Sequence, residues 1–231
     1  MQTKRLLIIP AKFSSSRLKN KNFKNFYGQM MIEYPFRAAQ KSKLFEKIHI
    51  STESKIIKKK LIKKNIKIDF LREKKLTNKN VGLFKVYKFI VNEYEKINVF
   101  FDEVWTLLPC SPLIDFKDLN KLANLIDKKK IKKPIISICK YAAPIEWAFI
   151  KNEKTKKLTP LNKKKHKQQS QDFSQKYFDV GTLSVFDIKN FKTKSDFFEG
   201  NFYGFELPFR KSVDIDDKDD WNFANYLYLK K

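Results

Sequence analysis

The chain has 231 residues, 42% of them hydrophobic, and carries 50 Lys and Arg against 25 Asp and Glu, a formal net charge of +25. That length fits one α/β domain with at most a small added lobe, and two cysteines, Cys110 and Cys139, exclude a disulfide framework or a cysteine-built metal site. No apolar run approaches the roughly 20 residues of a membrane span and no hydrophobic leader precedes the first strand, so a soluble, cytoplasmic protein without a membrane partner is expected. The lysines run from Lys4 to Lys231 and accompany abundant Ile, Asn and Phe, the residues that A/T-rich codons encode. The charge is therefore read as composition, with nucleic acid not expected as partner, although such a field would still attract a nucleoside triphosphate.

In chain order, Leu6 to Ile9 is a continuous apolar run closed by Pro10, the pattern of a strand buried on both faces in a parallel sheet. Ser14, Ser15 and Ser16 then bring hydroxyl and backbone donors together with the cations Lys12, Arg17, Lys19 and Lys21. A loop of this kind at the carboxyl end of a first strand is where open α/β sheets hold phosphates. Gly28-Gln29 marks a turn, and Met30 to Ser42 reads as a helix whose regular turns begin near Pro35. Lys47 to Thr52 alternates as a second strand, with Ser51-Thr52-Glu53 offering a helix N-cap. A Lys-rich helix to about Lys64 and a third strand, Ile66 to Leu71, ended by Arg72, complete a βαβ rhythm.

Val81 to Tyr94 is an amphipathic helix. Glu103 to Leu108 is a fourth strand, leading into the rigid turn Pro109-Cys110-Ser111-Pro112, in which Cys110 is expected to be a small packed residue. A helix follows from Asp115 to Ile126, then a fifth strand from Pro134 to Tyr141. His166, amid lysines, reads as a solvated side chain, and His49, on an alternating strand, as structural. Near the far end, Asp214 and Asp216 flank Ile215 and precede a helix from Asp219 to Tyr228. Period-two spacing puts both carboxylates on one face of an extended segment with Ile215 turned inward. Two carboxylates so placed suit Mg²⁺ that also binds triphosphate oxygens and water. Asp217, Asp219 and Asp220 suit the amino end of the following helix.

The segment IIPAKFSSSRLKNKNF resembles the opening signature of the acylneuraminate cytidylyltransferases, I-I-P-A-R-G-G-S-K-R-x-x-x-K-N, with matches at Ile8, Ile9, Pro10, Ala11, Ser15, Arg17, Lys21 and Asn22. The departures are Lys12 for Arg, Phe13 and Ser14 for two glycines, and Ser16 for Lys. Ser51-Thr52-Glu53 stands for S-T-D; Arg72, Leu76 and Gly82 keep the register of R-P-x-E-L-S-x-D-x-x-G-T, whereas Lys75, Lys79 and Leu83 depart from it. The proline turn at 109–112 is similar to the family's Q-P-T-S-P. Val213-Asp214-Ile215-Asp216, with Asp220 and Trp221, resembles V-D-I-D-T-x-x-D-W.

Three further pieces look like the pseudaminic acid branch in order and spacing. Pro144-Ile145-Glu146-Trp147-Ala148 resembles P-I-Q-W-A, Ser170-Gln171-Asp172-Phe173 resembles the end of R-S-Q-D-L, and the stretch from Tyr177 to Thr182 stands for Y-H-D-A-G-Q. Here Gln169, Phe178 and Thr182 replace the family's Arg, His and Gln.

The resemblance implies a single cytidylyltransferase domain over 1–231, α/β and doubly wound. Its sheet would be mostly parallel and Rossmann-like, with an excursion at about 141–178 for the sugar pocket and for dimerisation. It implies transfer of CMP from CTP to an acidic nine-carbon sugar with release of pyrophosphate, with Mg²⁺ as cofactor and a homodimer as assembly. By carry-over, Arg17, Lys21 and Asp216 are catalytic. Ala11, Lys12, Ser15, Arg17, Lys21, Asn22 and Arg72 bind CTP. Ser111, Gln171, Asp172, Asp179 and Gly181 face the sugar, and Asp214 and Asp216 hold the metal. Two alternatives stay open: a sibling transferase acting on neuraminate, legionaminate or another acid sugar, and a catalytically degenerate or nucleic-acid-binding paralogue, which the loss of Lys at position 16 would favour.

Overall fold

In a computed structural model, the described residues are 3–13, 18–78, 80–193 and 201–230. The first strand, β1 (Arg5–Pro10), is buried along its whole length. After the loop that follows it, a short hairpin, β2 (Asn25–Phe26) and β3 (Gln29–Met30), turns through Tyr27 and Gly28, both at positive φ. That geometry matches a tight two-residue hairpin turn, where glycine relieves the strain. The chain continues through α1 (Glu33–Ser42), β4 (Lys47–Ser51), α2 (Lys55–Ile62), α3 (Leu83–Glu95) and β5 (Glu103–Leu107). It closes with α4 (Phe116–Lys129), β6 (Ile135–Lys140), β7 (Phe149–Lys151), β8 (Leu158–Pro160), β9 (Tyr177–Asp187), α5 (Ile188–Thr193), β10 (Tyr203–Glu206) and α6 (Lys218–Leu229).

Six strands form the central sheet in the order β10-β6-β9-β5-β1-β4. All neighbours run parallel except β9, which lies antiparallel between β5 and β6. Alternation along β1 sends Leu7 and Ile9 to one face, under α1, α2 and α4, and Leu6 and Ile8 to the other, under α3 and α5. The sheet is thus doubly wound and mostly parallel, as expected. From β1 the chain crosses to β4 on one side and returns to β5 on the other, so the carboxyl ends of β1 and β5 frame the switch point where such sheets bind ligands.

Four expectations need correction. The helix expected from Met30 begins at Glu33, because Met30 is paired in the hairpin; Pro35 sits within the first turn, where its missing N–H costs nothing. The N-cap of α2 is Ser54, whose side chain accepts from Ile57 N, one residue beyond Ser51-Thr52-Glu53. Ile66 to Leu71 is not a strand: Ile66 and Ile68 drop into one core, Phe70 packs against the other, and the segment bends around the sheet edge. Only Arg72 rejoins, its N donating to Thr52 O. Finally, β9 and β10 were not expected as strands.

Two polar clusters are buried beside the core. Glu33 is fully buried and accepts from Met30 N, with Lys64 Nζ at 2.8 Å and Arg37 Nη2 at 3.2 Å. Burial alone would raise its carboxyl, but these donors hold it below the usual range. His49 is buried as expected of a structural residue, its Nδ1 lying 3.1 Å from the Tyr94 hydroxyl, which donates to Asp69 at 2.8 Å. No described helix is long and apolar enough to cross a membrane.

Candidate active site

The carboxyl edge of the sheet gathers the loop after β1, the turn after β5, the segment after β6, the start of β9 and the stretch between β10 and α6. Ala11 N extends the β1–β4 ladder by donating to Ser51 O at 2.8 Å. Asn20 then adopts the left-handed conformation that Asn tolerates, and a 3-10 turn, Lys21–Phe23, follows. Asn22 is buried and ties three segments together. Its Nδ2 donates to Lys12 O at 2.9 Å, its side-chain oxygen accepts from Cys110 Sγ at 3.3 Å, and its carbonyl accepts from Ile32 N. The loop after β1 and the turn after β5 are therefore fastened at the switch point itself.

The acidic segment approaches the same place. Lys211 fixes its start, with Nζ 3.0 Å from Asp115 Oδ2 and 2.5 Å from Asp118 Oδ2 at the capped end of α4. Asp217 fixes its end in a capping box with Asp220, and Asp220 Oδ2 also accepts from Asp216 N. Between them Ile215 is 0% exposed, packed with Phe26, Met31, Cys110 and Trp221. Ile215 turns inward as the period-two spacing predicts, Asp214 is exposed, and Asp216 is half-buried. Lys21 Nζ lies 2.9 Å from Asp216 Oδ1 and 2.5 Å from the Ile215 carbonyl oxygen. The cation and the carboxylate, 195 positions apart, thus meet directly.

Cys110 sits among them. Burial pushes its thiol up to about 12, with Lys21 pulling down and Asp214 and Asp216 pushing further up. It is the packed residue expected, too weakly acidic to serve as a nucleophile. Arg72 is also buried, and its Nη2 donates to Glu53 Oε2 at 2.9 Å. The second oxygen of Glu53 accepts from Phe13 N at 3.0 Å. Glu53 was read as part of a cap and as the counterpart of the Asp in S-T-D, with no role in the site; its place just after a strand, at the carboxyl edge, was the available signal for more. Ser15 and Arg17 lie outside the described residues.

The residues expected to face the sugar are spread more widely. Ser111 is buried in the turn after β5. Asp179 sits near the start of β9, where its Oδ1 accepts from Gly181 N at 2.8 Å, and Gly181 takes φ +68° beside a register shift against β6. Gln171 and Asp172 occupy an exposed 3-10 turn, with Asp172 Oδ2 accepting from Gln169 N at 3.1 Å. A cavity of about 180 Å³ lies next to that turn, lined among others by Glu146, Ser170, Phe173, Ser174 and Lys176. In it Lys176 Nζ lies 2.6 Å from Glu146 Oε1. Neither residue was named from the sequence as a sugar contact.

The comparisons agree with this architecture. A family model described as Cytidylyltransferase matches residues 6–97. The pseudaminic acid cytidylyltransferase of Campylobacter jejuni subsp. jejuni is 28% identical over 225 residues, 97% of this chain and 96% of that protein. An N-acylneuraminate cytidylyltransferase of Escherichia coli is 24% identical over 100% of this chain and 54% of its own length. A solved CMP-2-keto-3-deoxy-manno-octonic acid synthetase complexed with CTP superposes with a TM-score of 0.73 at 15% identity, covering 99% of both chains, a likeness that shows the fold alone. With Ala11, Lys21 and Asn22 of the signature seated at the switch point and the likeness running through nearly the whole length, the chain is similar to the acylneuraminate cytidylyltransferases and is a CTP-dependent nucleotidyltransferase.

Proposed function

We propose that the chain transfers CMP from CTP to a nonulosonic acid sugar of the pseudaminate type, releasing pyrophosphate. The observation that carries this reading is the 2.9 Å contact of Lys21 with Asp216, which joins the segment after β1 to the acidic segment before α6 at the carboxyl edge of the sheet. The choice of sugar is supported by the similarity to the Campylobacter jejuni pseudaminic acid cytidylyltransferase over 97% of this chain and by the order of the segments at 144–148, 170–173 and 177–182.

In this reading the anomeric hydroxyl of the sugar attacks the α-phosphorus of CTP, the bond to the pyrophosphate oxygen breaks, and the hydroxyl proton is lost. No covalent enzyme intermediate is required. Negative charge grows on the α-phosphoryl oxygens and the departing pyrophosphate, so cations held at that point lower the barrier. Lys21 supplies one such charge, and Lys12, Ser15 and Arg17 complete the triphosphate site. Ala11 and Asn22 set the loop's course beneath it, and Arg72 meets the base. Ser111, Gln171, Asp172, Asp179 and Gly181 remain the assigned sugar contacts.

Asp214 and Asp216 fit Mg²⁺. Asp216 already attracts a cation in Lys21, and the described residues hold no cluster of three or more metal-ligating His, Cys, Asp or Glu side chains. Triphosphate oxygens and water would therefore complete the shell, as Mg²⁺ prefers. Bound there, the ion would neutralise triphosphate charge. A second copy of the chain is the expected partner of the excursion, whose small β7–β8 hairpin exposes Phe149, Ile150 and Leu158.

The test is pyrophosphate release from CTP and Mg²⁺ with pseudaminic, legionaminic and N-acetylneuraminic acids. Pseudaminic acid should give the highest kcat/KM. Faster turnover of either other sugar would overturn the acceptor assignment, and no release with any of them would overturn the reaction.

A further inference from the structure

The segments leaving β1 and β4 run side by side at the carboxyl edge, and the way they are joined changes within two residues. Ala11 N donates to a backbone carbonyl, Ser51 O, whereas Phe13 N donates to a side chain, Glu53 Oε1, at 3.0 Å. Glu53 Oε2 accepts from Arg72 Nη2 at 2.9 Å, so each oxygen of one carboxylate holds a different segment. Arg72 is further fixed by its backbone N, which donates to Thr52 O, and its side chain is only 3% exposed. Its Nε is buried and has no hydrogen-bond partner among the described residues. A buried guanidinium N–H left unmatched by the described residues marks a place for an acceptor from elsewhere. The charge of Arg72 is already opposed by Glu53, so it offers directed N–H donors with little net field. That suits a neutral carbonyl oxygen, as on a pyrimidine base.

We infer that Glu53 is a positioning residue for the nucleotide: one oxygen fixes where the phosphate loop departs, and the other holds Arg72 as a charge-compensated donor to a carbonyl oxygen of the base. Loop and base reader are thereby set as one unit before CTP arrives. The inference rests on the nucleotide reading of the crevice given above.

The experiment measures KM for CTP, kcat, and inhibition by inorganic triphosphate for Glu53→Gln, Glu53→Asp, Arg72→Ala and the Glu53→Gln/Arg72→Ala double variant. Loss of one charge-assisted hydrogen bond should raise KM for CTP roughly tenfold in Glu53→Gln, with kcat and triphosphate inhibition changed by less than about threefold. Glu53→Asp, which keeps the charge and shortens the reach, should fall between. In the Arg72→Ala background, Glu53→Gln should add nothing to KM. If Arg72→Ala leaves KM for CTP unchanged, the nucleotide reading of Arg72 fails and this inference with it. If Arg72→Ala raises KM but Glu53→Gln does not, or the two effects add in the double variant, the inference alone is overturned. Triphosphate inhibition weakened as much as CTP binding would also overturn it, by making Arg72 a phosphate holder.

Discussion

Lys21 Nζ stands 2.9 Å from Asp216 Oδ1, joining the loop after the first strand to the segment before the last helix. Groups that act on one substrate lose their effects together rather than independently. Lys21→Ala and Asp216→Ala should each lower the rate of pyrophosphate release on the order of a hundredfold, and the double variant should be little worse than either. Multiplying losses in the double variant would show that the two residues serve separate sites.

Removing the cation–carboxylate pair leaves the thiol beneath it. Cys110 is buried and its thiol is pushed up to about 12, while Cys139 is buried in β6. Alkylation requires thiolate and access; Cys110 is denied both, and Cys139 is denied access by its burial. Iodoacetamide at pH 8 should therefore modify neither cysteine in the native protein and both in urea, as read by mass spectrometry. Rapid labelling of Cys110 without denaturant would contradict the packing described.

His49 gives the fold a pH dependence with a defined sign. Burial pushes its imidazole down to about 4, against the pull of Asp69 and with Lys47 and Lys58 adding to the depression. The unfolded chain, with an ordinary His near 6.5, binds the proton more readily between these values. Stability is therefore whole above about pH 6.5 and declines as pH falls toward 4, by about 3 kcal/mol from this group. Urea unfolding at pH 7 and pH 4.5 should show that decline in the native sequence and a much smaller one in His49→Asn. Equal pH dependence in the two would remove His49 as its source.

Much of this was legible in the sequence because burial and function use different residue types. The β1 run and the alternation around Ile215 announce which side chains turn inward, and the carboxylates on either side of Ile215 follow from that alone. Ile66 to Leu71 misled because the same alternation is satisfied by a segment that drops Ile66 and Ile68 into one core and Phe70 against the other, without joining the sheet. The strand from Tyr177 was hidden for the opposite reason: its first residues alternate around exposed Asp179 and Gly181, and only from Thr182 is it continuously buried. The pairing of Glu53 with Arg72 and Phe13 could not be read, since it depends on which strands become neighbours at the sheet edge.

The aromatic cluster around Phe26 offers a way to separate stability from site geometry. The Phe26 ring stands edge-on to Tyr34, Trp221 and Tyr228, with centroids 5.4, 5.4 and 5.2 Å away, and so binds α6 to the hairpin β2–β3. That helix continues directly from the segment carrying Asp214 and Asp216, and Ile215 packs in the same cluster. Phe26→Ala should cost about 3 kcal/mol of stability through the cavity it leaves, and should also raise KM for CTP at temperatures where the variant is fully folded. Phe186→Ala is the control, since Phe186 is equally buried but packs in the separate cluster under α3 and α5, with Phe84 and Phe191. It should lose similar stability by urea titration and keep its KM. A shift in KM of the same size in both variants would mean that α6 and the hairpin do not align the acidic segment separately from the fold as a whole.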